Sequence, residues 1–210
     1  MTHCEASELL QHIEQHTARV GIIGLGYVGL PLAVEFAYAG FRVSGFDIDQ
    51  VRIAALNKGI CHINDVDEQN FHQALATKLE VTHNFDRLPE ADVIIICVPT
   101  PLGKNKEPDV SHIMNAAERI TQHLRRGQLI LLESTTFPGT TEELLLPLFE
   151  RRGLHVGNDY WLAFSPERID PGNERFALRS EAMSLRKTVR VWPVAILSTR
   201  LLPVSAAMMP

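Results

Sequence analysis

Cysteine is scarce in this 210-residue chain: Cys4, Cys61 and Cys97 are scattered, with no CxxC pair among them. Three such residues build no disulfide framework, so a reducing cytoplasm is the expected setting. Long apolar runs are also missing. None approaches the roughly 20 residues that span a bilayer. The opening "MTHCEASELLQHIEQH" lacks the apolar centre of a signal peptide, and no membrane partner is expected. Positive charge is not in excess either. Twenty Lys and Arg face 25 Asp and Glu, a net charge of −5, which argues against a nucleic-acid partner. His12 and His16 have i,i+4 spacing but neither a third ligand nor an HExxH motif, so they read as a solvated helix face and no metal is expected. Ser134 has no G-x-S-x-G elbow around it, and no Tyr-x-x-x-Lys pair exists. A hydrolase triad is unsupported, and a short-chain reductase fails for want of its Tyr–Lys pair.

What is present is a regular alternation. "RVGIIGLG" is a short apolar run ending in glycine, as a buried parallel strand is. The helix "YVGLPLAVEFAYAG" follows, closed by Gly40, and then the strand "FRVSGFD". Helices are expected over 5–16, 48–57, 67–76, 110–125 and 140–152. Further strands are expected at "LEVTH", "ADVIIICVP", "QLILLEST" and "YWLAFSP". Strands alternating with helices of this length imply an α/β fold, a doubly wound parallel sheet of Rossmann type. Cys97 falls inside the most apolar strand and reads as a packed core residue.

Gly24-Leu25-Gly26-Tyr27-Val28-Gly29 fits G-x-G-x-x-G, a weak pattern by itself. Here it follows a strand, opens a helix, and is followed by a second strand that ends in Asp47. That context turns it into a dinucleotide fingerprint. Gly24 permits the tight turn, Gly26 lets the backbone approach a pyrophosphate, and Gly29 brings helix and strand together. The unpaired amides at the helix start hold the diphosphate. An acid at position 47, accepting from ribose hydroxyls, favours NAD over NADP.

Beyond the glycines, "GLGYVGLPLAVEFAYAGFRVSGFDID", "LNKG", "ICVPTPL", "EPDVSHI", "ESTTFPGTTEE" and "FSPERIDPGN" occur in one order along residues 15–175. In this the chain resembles the UDP-glucose/GDP-mannose dehydrogenases. The last block is most similar to the UDP-N-acetylglucosamine 6-dehydrogenase branch, with UDP-glucose, UDP-N-acetylmannosamine and GDP-mannose as alternative substrates. The resemblance implies two successive hydride transfers from a sugar C6 to NAD, by way of a cysteine thioester, to give a uronic acid. It implies that Gly24, Gly26, Tyr27, Val28 and Gly29 form the phosphate turn, with Asp47 on the ribose and Arg52 on the adenosine side. Pro99 and Thr100 would line the crevice. Thr136 would lie near the nicotinamide and the catalytic water. Glu167 would move protons during hydrolysis, and Arg168 and Ile169 would lie near the sugar.

The pattern then breaks. The family's nucleophilic cysteine, its substrate-binding lysine and asparagine, its dimer-building helix and its second domain have no counterpart here. Residues 1–176 are therefore expected to be the cofactor-binding half, inactive alone. The competing reading is a non-catalytic NAD-binding module. From Ala177 to Pro210 five basic residues face the single acid Glu181, glycine vanishes, and the family wording stops. This tail, 177–210, reads as poorly ordered and as sequence out of frame, with a foreign appendage as the rival explanation.

Overall fold

Six short strands carry the architecture, and their order follows from their apolar content. The computed structural model describes residues 2–102, 108–134 and 136–165, with side chains from position 6 onward. Helix α1 (Thr2–Glu14) leads into β1 (Arg19–Ile23), α2 (Gly29–Tyr38) and β2 (Arg42–Phe46). Next come α3 (Gln50–Asn57), α4 (Glu68–Thr77), β3 (Leu79–Thr82), β4 (Val93–Ile96) and α5 (Ser111–His123). Strand β5 (Leu129–Leu132), helix α6 (Leu146–Glu150) and β6 (Trp161–Phe164) complete the series. All pairings are parallel, in the order β3-β2-β1-β4-β5-β6. This is the doubly wound sheet that the alternation predicts. The winding direction reverses between β1 and β4.

A sheet covered on both faces needs strands that are apolar throughout, and β4 and β5 are buried at every position. Side chains alternate between the two faces. Val93 and Ile95 join one core layer with α2, α3 and α4; Ile94 and Ile96 join the other with α5 and α6. Cys97 is packed within the first layer, as its apolar strand predicts. Helix α1 lays Leu9 and Ile13 on that layer too. His16, whose ring stacks on Phe41 at 4.6 Å and bonds the Ala39 carbonyl at 2.7 Å, ties its end to the end of α2. No helix among the described residues is long and apolar enough to cross a membrane.

Two helical pieces depart from the expected pattern. A 3-10 helix, Phe85–Glu90, precedes β4, although its Pro89 and short length give no helical period to read. The helix expected at 140–152 is instead a π-helical turn, Thr140–Leu145, followed by α6. Pro147 explains the break. It has no N–H for the carbonyl four residues earlier, and its ring crowds that carbonyl. The preceding turn widens, and the Leu146 amide bonds Thr141 O instead. The segment holding Glu167, Arg168 and Ile169, and the tail 177–210, lie outside the described residues.

Gln128 shows how the sheet's lower edge is closed. It is fully buried just before β5, donating to Ala91 O at 2.8 Å and accepting from the Arg125 amide at 2.9 Å. Gln128→Leu keeps the volume but strands the Arg125 amide, and a buried unpaired donor costs about 1–3 kcal/mol. A urea titration should show the unfolding free energy fall by that amount, read as a lower midpoint with the slope unchanged.

Candidate functional site

The glycine turn sits at the carboxyl end of β1, beside the point where the strand order reverses. Gly24 bonds Phe46 O at 2.8 Å and has φ +93°, a conformation that side chains resist. A methyl group there would also lie 2.6 Å from the Cys97 carbonyl, so the ends of β1 and β4 touch backbone to backbone. A methyl on Gly29 would overlap the Gly24 carbonyl itself. Gly26 is different. A methyl added there meets nothing within 4 Å, and its φ is not left-handed. Nothing in the protein's own packing requires glycine at 26, so the bare backbone is suited to something that approaches from outside.

That exterior face has the polarity for an anion. Helix α2 begins after Val28, and no side chain caps it. Leu30 N–H is taken by Gly26 O and Pro31 has no N–H, so the open main chain lies at Gly26–Gly29, at the positive end of the helix dipole. Leu25, between the first two glycines, is fully buried and presses against Gly45 of β2, which fixes which way the turn faces. Tyr27 is exposed beside it.

Asp47, one residue past β2, is only 4% exposed. Its Oδ2 accepts from the Leu25 amide at 2.9 Å and from Arg52 Nη1 at 2.7 Å; its Oδ1 accepts from the Asp49 amide at 2.9 Å. A buried carboxylate is tolerable only when paired in this way. Asp49 caps α3 through the Val51 and Arg52 amides, and those bonds hold its carboxyl below the ordinary range. Arg52 is thereby placed on the first turn of α3, facing Asp47.

His62 joins this cluster, a residue that the sequence analysis missed. It lies exposed beside the turn, close enough to feel the charges of Arg52, Asp47 and Asp49. Burial first, and the neighbouring Arg52 cation second, push its imidazole below the usual 6.5. No motif marks it. The loop after α3 brings it near this cluster, a proximity that only the tertiary fold creates.

On the other side of β4, Pro99 is exposed and Thr100 half-buried just past the strand end. Ser134 is no nucleophile: its hydroxyl bonds Val98 O at 2.9 Å and Ile96 O at 3.2 Å, tying the exit of β5 to the exit of β4. Thr136 follows, half-buried, with its hydroxyl 2.6 Å from that of Thr140. Thus Gly24–Gly29, Asp47 and Arg52 gather at the β1–β2 end. Pro99, Thr100 and Thr136 lie at the β4–β5 end of the same sheet edge. In open α/β sheets ligands bind at this edge, across the switch point.

The sequence profile of the UDP-glucose/GDP-mannose dehydrogenase family, NAD binding domain, matches residues 18–183. The chain is similar to a UDP-N-acetyl-D-glucosamine 6-dehydrogenase of Pseudomonas aeruginosa, 42% identical over 163 residues, which are 77% of this chain and 38% of that protein. Among solved structures it is similar to a UDP-D-ManNAc dehydrogenase from Pyrococcus horikoshii (TM-score 0.72, 34% identity, covering 81% of this chain and 44% of that one). A second is an NDP-N-acetyl-D-galactosaminuronic acid dehydrogenase from Methanosarcina mazei Go1 (TM-score 0.74, 30% identity, covering 90% and 44%). The chain thus spans about two fifths of the length of these relatives. Turn, sheet order and profile agree: the chain belongs to the UDP-glucose/GDP-mannose dehydrogenase family and carries its NAD-binding domain.

Proposed function

We propose that this chain is the cofactor half of a nucleotide-sugar 6-dehydrogenase, with UDP-N-acetylglucosamine as the substrate. Gly26 carries the reading: bare main chain facing open space, at the uncapped start of α2, between Asp47 and the end of β4. The residues present fit NAD. Gly24–Gly29 cradle the diphosphate, and Asp47 and Arg52 lie where the adenosine ribose comes. Pro99 and Thr100 wall the crevice, and Thr136 stands toward the nicotinamide. When bound, NAD supplies the hydride acceptor for oxidation of the sugar carbon.

The chain's own groups bind and orient. Asp47 Oδ2 already accepts two donors, whereas Oδ1 accepts one and keeps a lone pair for a ribose hydroxyl. A 2′-phosphate would be set against this buried carboxylate, which favours NAD over NADP. Glu167, Arg168 and Ile169 are assigned to the sugar end by the family resemblance. Glu167 would be the carboxylate that handles protons. The similarity to the P. aeruginosa enzyme supports the choice of sugar.

The glycines give a test that separates folding from binding. Gly26→Ala should leave thermal stability within about 1 kcal/mol of the parent, yet weaken NAD binding in a calorimetric titration by about tenfold or more, because the methyl occupies the diphosphate's place. Gly29→Ala should instead unfold the domain. If Gly26→Ala binds NAD as the parent does, the turn is not the phosphate site.

His62 supplies a second expectation, with a definite sign. Its folded-state pKa lies below its unfolded value near 6.5. The folded protein therefore binds fewer protons than the unfolded one in that region. The stabilisation is present above pH 6.5 and is lost as the pH falls below it. Melting curves at pH 7.5 and 5.5 should show a drop that His62→Gln reduces; an identical drop in the variant would place the effect elsewhere.

A further inference from the structure

Thr140 is fully buried and has one hydroxyl hydrogen to give. Two oxygens stand within reach of it: Phe137 O at 2.9 Å and Thr136 Oγ1 at 2.6 Å. A carbonyl oxygen can only accept. If the Thr140 hydrogen pointed at Thr136, the Thr140 and Phe137 oxygens would face each other at 2.9 Å with no proton between them. The hydrogen therefore goes to Phe137 O, and the short contact between the hydroxyls uses the Thr136 hydrogen. Thr136 is left with lone pairs alone to offer. Its neighbourhood is rigid: Gly139 turns the chain at φ +95°, Ser134 binds the exits of β4 and β5 together, and the π-helical turn starts at Thr140.

We propose that Thr140 is a positioning residue for the nicotinamide end of the cofactor. By taking the Thr136 hydrogen, it fixes the Thr136 hydroxyl as a hydrogen-bond acceptor for the carboxamide N–H of NAD. This rests on the cofactor placement proposed above. The placement itself has the right scale. Asp47 follows β2 and Thr136 follows β5, three strand spacings apart, or about 14 Å, the reach of an extended dinucleotide. A free threonine hydroxyl rotates and presents donor or acceptor to any neighbour. One whose hydrogen is committed selects a donor, and so holds the carboxamide, and the ring attached to it, in one orientation.

The test is a set of binding titrations with three probes on the full chain. ADP-ribose reads the adenosine–diphosphate half alone. NAD adds the nicotinamide with its N–H donor, and 3-acetylpyridine adenine dinucleotide keeps the ring but replaces that donor with a methyl. The parent chain should bind NAD about three- to tenfold more tightly than the acetylpyridine analogue, the worth of one hydrogen bond. Thr140→Val should collapse that preference to near unity while leaving ADP-ribose affinity unchanged. Thr140→Ser, which keeps the hydroxyl, should restore it. A preference that survives in Thr140→Val, or that is missing from the parent, overturns the inference. So does a parallel loss of ADP-ribose affinity in Thr140→Val, which marks a merely structural role. Failure of the parent to bind ADP-ribose brings down the cofactor placement itself, and this inference with it.

Discussion

Main chain meets main chain where β1 ends, and most of this molecule is arranged to allow it. Gly24 lies against the Cys97 carbonyl and Gly29 lies on Gly24, so three backbone segments converge without a side chain between them. Such an approach is possible only with glycine at both positions. It brings the start of α2 down onto the sheet edge at the one place where neighbouring crossovers leave in opposite directions. A crevice opens there because the helix after β1 and the helix after β4 cover opposite faces. Buried β4 and β5 supply the rigidity that keeps the crevice in shape, through apolar packing on both sides.

Charge is placed on that frame with equal economy. A carboxylate as buried as Asp47 would cost several kcal/mol if left unpaired. It is met by two backbone amides and one guanidinium. Leu25 provides one of those amides, so the acid that would meet the ribose also braces the turn that would meet the phosphates. On the proposed placement, one residue would serve both binding and scaffold. Arg52 stands between Asp47 and Asp49, at 2.7 and 3.9 Å. Two carboxylates face one guanidinium there, and His62, shifted toward its neutral form, does not offset the difference, so the cluster is net negative.

The doubly wound sheet was readable from sequence because each strand's apolar run and each helix's period report on the same burial. All six strands stand where the runs predict, each shorter than its run at one or both ends. In "ADVIIICVP" only Val93–Ile96 is strand; Cys97 stays in the core, and Pro99 is the first exposed residue past the strand end. The glycine turn was readable too, since glycine spacing states a steric fact about local chain. His62 and Thr140 were not. Each depends on surroundings supplied by the fold, the Asp47–Asp49–Arg52 cluster in one case. In the other, the proton count of a threonine pair can be made only once Phe137 O is located. Composition carries no trace of either.

The same contrast explains why the segment after β5 departs from the single helix its period predicts. Residues 140–152 have the composition of one amphipathic helix, and the period alone would start it at Thr140. Pro147 disturbs the turn before it, because the carbonyl it would have bonded must be bypassed. The wider π turn is the chain's response, and the Leu146 amide reaches back five residues to Thr141. Single π turns recur at functional sites because they shift a side chain out of the helical register that burial alone would impose. Here the shifted turn begins at the buried Thr140 and abuts Thr136. The irregularity thus falls at the crevice end of the helix, while the regular α6 beyond it returns Leu148 and Phe149 to the core.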